Sequence, residues 1–144
     1  MKSVNVMKCK LVKESEVKYQ SISCASDVVS IMRAMDIQNE AEEYFYVVCM
    51  NVKGEVVGVH EVSHGDLSMA PVHPREVFKR ALLNNAASVI LSHNHPSGNP
   101  EPSDADRILT ERLSKAGELL GVKVLDHIII TSNEHFSFAG QGLI

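Results

Sequence analysis

Two histidines one residue apart, His93 and His95, follow a short apolar run, Ser88 to Leu91, and Asp106 lies eleven residues beyond the second of them. On an extended segment residues i and i+2 project to the same side. Both imidazoles can therefore reach one ion, at about 2.0 to 2.1 Å from each nitrogen, while Asn94 between them points elsewhere. Asp106 falls on the first turn of a helix that opens at Ser103, where a loop rich in Pro and Gly has folded back, so its carboxylate can supply a third ligand. Two histidines and a carboxylate leave the fourth tetrahedral position of a zinc ion open. That open position separates a hydrolytic zinc from a structural one, because a water held there drops from a pKa of 15.7 to about 7 and becomes a nucleophile. The chemistry expected is hydrolysis, with one Zn2+ per chain on His93, His95 and Asp106.

The elements around these residues must bring them together. Ser88 to Leu91 is short and apolar enough to be a buried central strand that delivers His93-Asn94-His95 to a sheet edge. The loop with Pro96, Gly98, Pro100 and Pro102 leads into a long helix from Ser103 to about Leu120, stopped by Gly121. Val122 to Thr131 reads as an internal strand, and His135 to Ile144 as one short strand and a turn. Upstream, Ser26 or Asp27 can cap a helix whose apolar residues Val28, Val29, Ile31, Met32 and Met35 recur at three- and four-residue spacing, ending near Ile37. Tyr44 to Met50 and Glu55 to Val62 are aromatic and β-branched on either side of Asn51-Val52-Lys53-Gly54, the pattern of a hairpin. A segment from Leu67 to Val72 is expected to pair with the sheet. Pro74 suits a first helical turn, and the helix that follows, Arg75 to Ala86, is expected to bury Val77, Phe78, Ala81, Leu82 and Leu83. Near-alternation from Val4 to Val12 predicts a short N-terminal strand.

At 144 residues the chain fits one domain, 1–144, of which 1–23 read as an N-terminal extension. Hydrophobic residues at 44% and charged residues at 22% lie close to average globular usage, which argues against disorder. The net charge of −4 supplies no global positive field, so nonspecific attraction to nucleic acid or anionic lipid is disfavoured. Three cysteines, Cys9, Cys24 and Cys49, form no C-x-x-C pair and suit a reducing compartment. No apolar run approaches the roughly 18 residues of a spanning helix, and the N-terminus mixes charged with apolar residues where a signal peptide would have an apolar block. A cytoplasmic location without membrane attachment is expected.

The arrangement His93-x-His95-x7-Ser103-x2-Asp106 resembles the JAMM motif H-x-H-x7-S-x2-D of the JAB/MPN metalloproteases at every fixed position. More narrowly, His93-Asn94-His95-Pro96-Ser97-Gly98, with His73-Pro74-Arg75-Glu76 before it and Leu125-Asp126-His127 after it, resembles the RadC branch, over roughly residues 24 to 144. The resemblance implies a three-layer α/β/α domain with a mixed sheet, related in shape to cytidine deaminases. It implies zinc on the two histidines and the aspartate, a glutamate on the strand before the hairpin as general acid/base, and a motif serine that donates to the oxyanion. Those roles fall on Glu43, with Glu42 next, and on Ser103. The implied reaction is cleavage of a peptide or isopeptide amide bond, with a peptide or protein as substrate. The alternative the same resemblance carries is a RadC-type accessory in DNA repair or recombination. RadC-type proteins usually place a helix-hairpin-helix region ahead of this domain, and the first 25 or so residues are too few to hold it, so a stand-alone domain is expected.

Each residue also has a plainer reading. Ser103-x-x-Asp106 is a helix-capping pattern, which can coexist with a catalytic serine. Glu43 sits in an acidic patch with Glu40 and Glu42 that would otherwise be a solvated face. The literal string His-Asn-His invites comparison with HNH nucleases, whose name refers to residues spread over a larger unit. His127 reads as a satisfied core histidine outside the site. His60, His64, His73 and His135 lack metal spacing and read as structural or exposed.

Overall fold

The structure is a computed structural model that describes residues 1–65 and 72–144. Its elements are α1 (Ala25–Ala34), a 3-10 turn (Ile37–Asn39), β1 (Glu43–Met50), β2 (Val56–Gly65), α2 (Pro74–Leu83), β3 (Ser88–Asn94), α3 (Asp104–Leu120), β4 (Lys123–Ile130) and β5 (His135–Ser137). One five-stranded sheet has the order β2-β1-β3-β4-β5. The sheet is mixed: β3 and β4 run parallel, joined through α3, and every other pair is antiparallel. Parallel neighbours require a crossover, and here the crossover helix is also the element that carries Asp106.

Central β3 is buried from Val89 to Asn94 because both faces of the sheet are covered. On one face Phe45, Val47, Cys49, Val89, Leu91 and Val124 pack against Val77, Phe78 and Ala81 of α2 and Leu113 of α3. On the other, Val48, Met50, Ile90, Ile128 and Ile130 pack against Val28, Val29, Ile31 and Met32 of α1. This is the expected α/β/α layering, with each fully buried side chain of this size contributing about 1.5 to 3 kcal/mol. Gly117 lets α3 close onto the sheet, since a Cβ there would overlap the carbonyl oxygen of Val122. Gly121, at φ 72, ends the helix in the left-handed conformation that the sequence predicts.

Several expectations change in detail. No strand forms over Val4 to Val12, and Val4, Val6 and Val12 are exposed. Alternation alone creates no strand where no neighbouring edge accepts its hydrogen bonds. The cap of α1 is Cys24 in place of Ser26 or Asp27; Asp27 occupies the third helical position, and its Oδ2 accepts the N–H groups of Ser23 at 2.8 Å and Cys24 at 3.1 Å. Helix α2 stops at Leu83, leaving Leu82 and Leu83 exposed, because its inner face is spanned by Val77, Phe78 and Ala81. Strand β2 continues to Gly65. The expected pairing segment from Leu67 lies outside the described residues, apart from Val72, which is buried. Among the described residues no helix is long and apolar enough to cross a membrane.

Candidate metal centre

His93 is the penultimate residue of β3, His95 follows the strand, and Asp106 lies in the first turn of α3. Their donor atoms converge. His93 Nε2 and His95 Nε2 are 3.0 Å apart, His95 Nε2 and Asp106 Oδ2 3.1 Å, and His93 Nε2 and Asp106 Oδ1 3.4 Å. Ligand atoms on a tetrahedral ion with bonds of about 2.0 to 2.1 Å stand about 3.3 to 3.4 Å from one another. Two nitrogens and an oxygen at these separations could hold one metal ion, and among the described residues these three form the only group of His, Cys, Asp or Glu donors so placed.

The orientation of each donor has a visible cause. His95 Nδ1 lies 2.8 Å from the carbonyl oxygen of Asn99, which can only accept, so Nδ1 carries a proton and Nε2 is the nitrogen turned to the cluster and available to an ion. Asp106 is held by a reciprocal capping box: its Oδ2 accepts the N–H of Ser103 at 2.9 Å, and its own N–H donates to Ser103 Oγ at 3.1 Å. The capping and ligand readings of this pair therefore coexist, with one carboxylate oxygen serving both. Burial alone would raise the Asp106 carboxyl, but the imidazoles of His93 and His95 beside it hold it well below the usual carboxylate range. Burial also works against charge on His95, yet the Asp106 hydrogen bond and the Asn99 carbonyl raise its pKa above the ordinary value.

The two expected catalytic residues flank this cluster. Phe45 pairs with His93 across β1 and β3, and Glu43 opens β1 two residues before Phe45, on the same face of the strand. Glu43 is half-buried, and its charge favours the protonated form of His95. Glu42 is exposed. Ser103 is exposed at the mouth of α3. As expected from the period of a strand, Asn94 turns away from the two histidines; its buried side chain bonds to the N–H of Tyr44 and the carbonyl of Glu42.

His127 lies in the core and outside the donor group, as the sequence suggests, but it touches that group. It is a fully buried histidine with both ring nitrogens partnered, as a core residue would be, but one partner is His93 itself: Nε2 lies 2.7 Å from His93 Nδ1. Its Nδ1 lies 2.6 Å from Thr110 Oγ1, which donates to the Asp106 carbonyl at 2.6 Å. The spacing of Asp106 and Thr110, four residues on one helix, was available as a signal; that His127 lies on the strand beside β3 was not. The remaining histidines stay outside the cluster. His60 contacts Asn84, His64 pairs with Glu61 on the surface, His73 caps α2 and His135 is exposed.

A mixed sheet between helices, with His-His-Asp donors where the central strand meets the crossover helix, defines an α/β domain of the JAB type. The family profile described as the RadC-like JAB domain matches residues 22–143, and the chain belongs to that family. It is 46% identical over 123 residues to a UPF0758 protein of Desulforamulus reducens, covering 85% of this chain and 54% of the relative. It is 52% identical over 101 residues to a UPF0758 protein of Desulforudis audaxviator, covering 70% of this chain and 44% of the relative. A UPF0758 protein of Stenotrophomonas maltophilia is 44% identical over 108 residues, covering 75% and 46% respectively. The chain thus spans about half the length of the curated relatives it matches.

Proposed function

We propose that this chain is a JAMM-type hydrolase that holds one zinc ion on His93, His95 and Asp106 and cleaves a peptide or isopeptide amide bond of a protein substrate. The observation that carries the reading is the convergence of three donor atoms at 3.0, 3.1 and 3.4 Å, with the two histidine ring nitrogens face to face. When bound, zinc supplies Lewis acidity and a water whose pKa is near 7, with one tetrahedral position left open by three protein ligands.

The chain's own residues do the rest. Glu43, half-buried at the start of β1 and near enough for its charge to act on His95, takes a proton at its carboxylate and returns it to the leaving amine, a role typically contributing about 10² to 10⁴ in rate. Ser103 Oγ accepts from the Asp106 N–H, which leaves its own proton for the developing oxyanion, a donor typically contributing about 10² to 10³. Asp106, held ionised by its neighbours, stays a ligand down to acid pH.

The test is metal content after dialysis against zinc, together with hydrolysis of a peptide and isopeptide panel. About one equivalent of zinc per chain is expected from tetrahedral sites of this kind, lost in His93→Ala and Asp106→Ala. Undiminished zinc in a His93/His95 double alanine variant would make the site assignment wrong. A RadC-type accessory role on DNA is the competing reading, and the net charge of −4 weighs against it. Submicromolar, salt-dependent DNA affinity at physiological ionic strength would favour it instead. Three unpaired cysteines suit action in the cytoplasm.

A further inference from the structure

We propose that His127 and Thr110 are positioning residues that fix the proton on Nδ1 of His93 and so present its Nε2 lone pair to the metal. The proposal rests on the reading of His93 as a ligand. Its basis is a hydrogen-bond chain whose direction is forced from one end.

A backbone carbonyl can only accept, and Thr110 Oγ1 lies 2.6 Å from the carbonyl oxygen of Asp106. The single hydroxyl hydrogen of Thr110 is therefore committed there. Toward His127 Nδ1, 2.6 Å away, Thr110 can then act only as an acceptor, so Nδ1 of His127 bears a hydrogen. His127 is fully buried, beneath Phe138 stacked at 4.9 Å and edge-on to Phe45 at 5.4 Å, a place where a neutral ring is strongly preferred. A neutral ring with a hydrogen on Nδ1 has a bare Nε2. That atom lies 2.7 Å from His93 Nδ1, which must be the donor. His93, donating from Nδ1, keeps Nε2 bare toward His95 and Asp106.

The chain closes on itself, for the carbonyl that sets its direction belongs to Asp106, whose carboxylate is a ligand. Helix α3 thus governs two ligands at once: one directly, through the Asp106 side chain, and one across the core, through Thr110 and His127. His95 needs no such relay, since the Asn99 carbonyl fixes its tautomer directly.

The test measures zinc affinity by chelator competition for wild type, His93→Ala, His127→Phe, His127→Gln, Thr110→Val and Thr110→Ser. Loss of such a supporting hydrogen bond typically weakens metal binding by about 10- to 100-fold, expected for His127→Phe and Thr110→Val. His127→Gln, whose Oε1 can replace the Nε2 acceptor, and Thr110→Ser, which keeps the hydroxyl, should stay close to wild type. Nitrogen-15 NMR of the histidine rings gives a second readout that packing alone would not move. Wild-type His127 should carry its proton on Nδ1, and Thr110→Val should shift it toward Nε2 with the fold intact by circular dichroism. Should His127→Phe fail to fold, Thr110→Val and the wild-type tautomer still decide. A wild-type His127 protonated on Nε2 overturns the proposal. Unchanged zinc affinity in Thr110→Val and His127→Phe, alongside its loss in His93→Ala, overturns it while sparing the ligand assignment. No zinc uptake by wild type overturns both.

Discussion

The carboxamide oxygen of Asn94 accepts the main-chain N–H of Tyr44 at 2.6 Å, and its amide nitrogen donates to the carbonyl of Glu42 at 2.9 Å. One side chain from the ligand strand therefore brackets Glu43 on both sides along its backbone. Asn94→Ala removes the partners of two part-buried backbone groups, and a loss of about 0.5 to 1.5 kcal/mol is expected. Zinc should be retained while turnover falls, because the ligands keep their own supports and the base loses its anchor. Equal loss of metal and activity would show that Asn94 supports the whole cluster.

Glu43→Gln should bind zinc as wild type does and lose about 10² to 10⁴ of its hydrolytic rate. Glu42→Gln, at an exposed position, should leave both unchanged. Metal titration and steady-state kinetics on the two variants decide between them; the opposite pattern would move the base to Glu42.

Ser103→Ala removes a helix cap and an oxyanion donor together. Stability should fall by about 0.5 to 2 kcal/mol and turnover by about 10² to 10³. Ser103→Asp offers a cap acceptor without a hydroxyl donor, so denaturant melts should show its stability recovered while its activity stays low. Recovery of both would reduce Ser103 to capping alone.

The stabilisation that zinc gives should grow with pH. Burial opposes charge on His95, but Asp106 and Asn99 raise its folded pKa. A raised histidine stabilises the metal-free fold fully below about 6.5, and that contribution is lost as pH rises through the folded value. Asp106, depressed in the fold, acts in the other sense: its contribution is present above about 3.9 and lost as pH falls through its lower folded value. His127 is held neutral by burial, so its contribution is lost below about 6.5 with or without metal and cancels from the difference. Protons on His95 compete with the ion, so affinity, and with it the zinc-induced rise in melting temperature, increases from pH 5 to above 7. A rise that is flat over this range would exclude His95 as a ligand.

The helix from Ser103 to Leu120, its stop at Gly121 and the hairpin around Asn51 to Gly54 are local matters, set by capping, left-handed glycine and turn chemistry. The i and i+2 spacing of His93 and His95 is equally local, since the pleat of a strand alone turns both to one side. The sequence pattern marks Leu82 and Leu83 as buried although they are exposed, because an apolar residue records its own hydrophobicity and not the width of the face it meets. Val4 to Val12 alternates without forming a strand because a strand is a property of a pair.

The sequence by itself determined which atoms could bind an ion and on which local elements they ride, because capping, strand period and the fixed motif spacing act over a few neighbouring residues. Tertiary structure alone decided that β1, with Glu43 at its start, lies beside the ligand strand and that His127 reaches His93, since both depend on which strands lie side by side. Pairing of β1 and β4 with β3 is chosen by burial on both faces of the sheet, a global term that no single stretch of chain encodes.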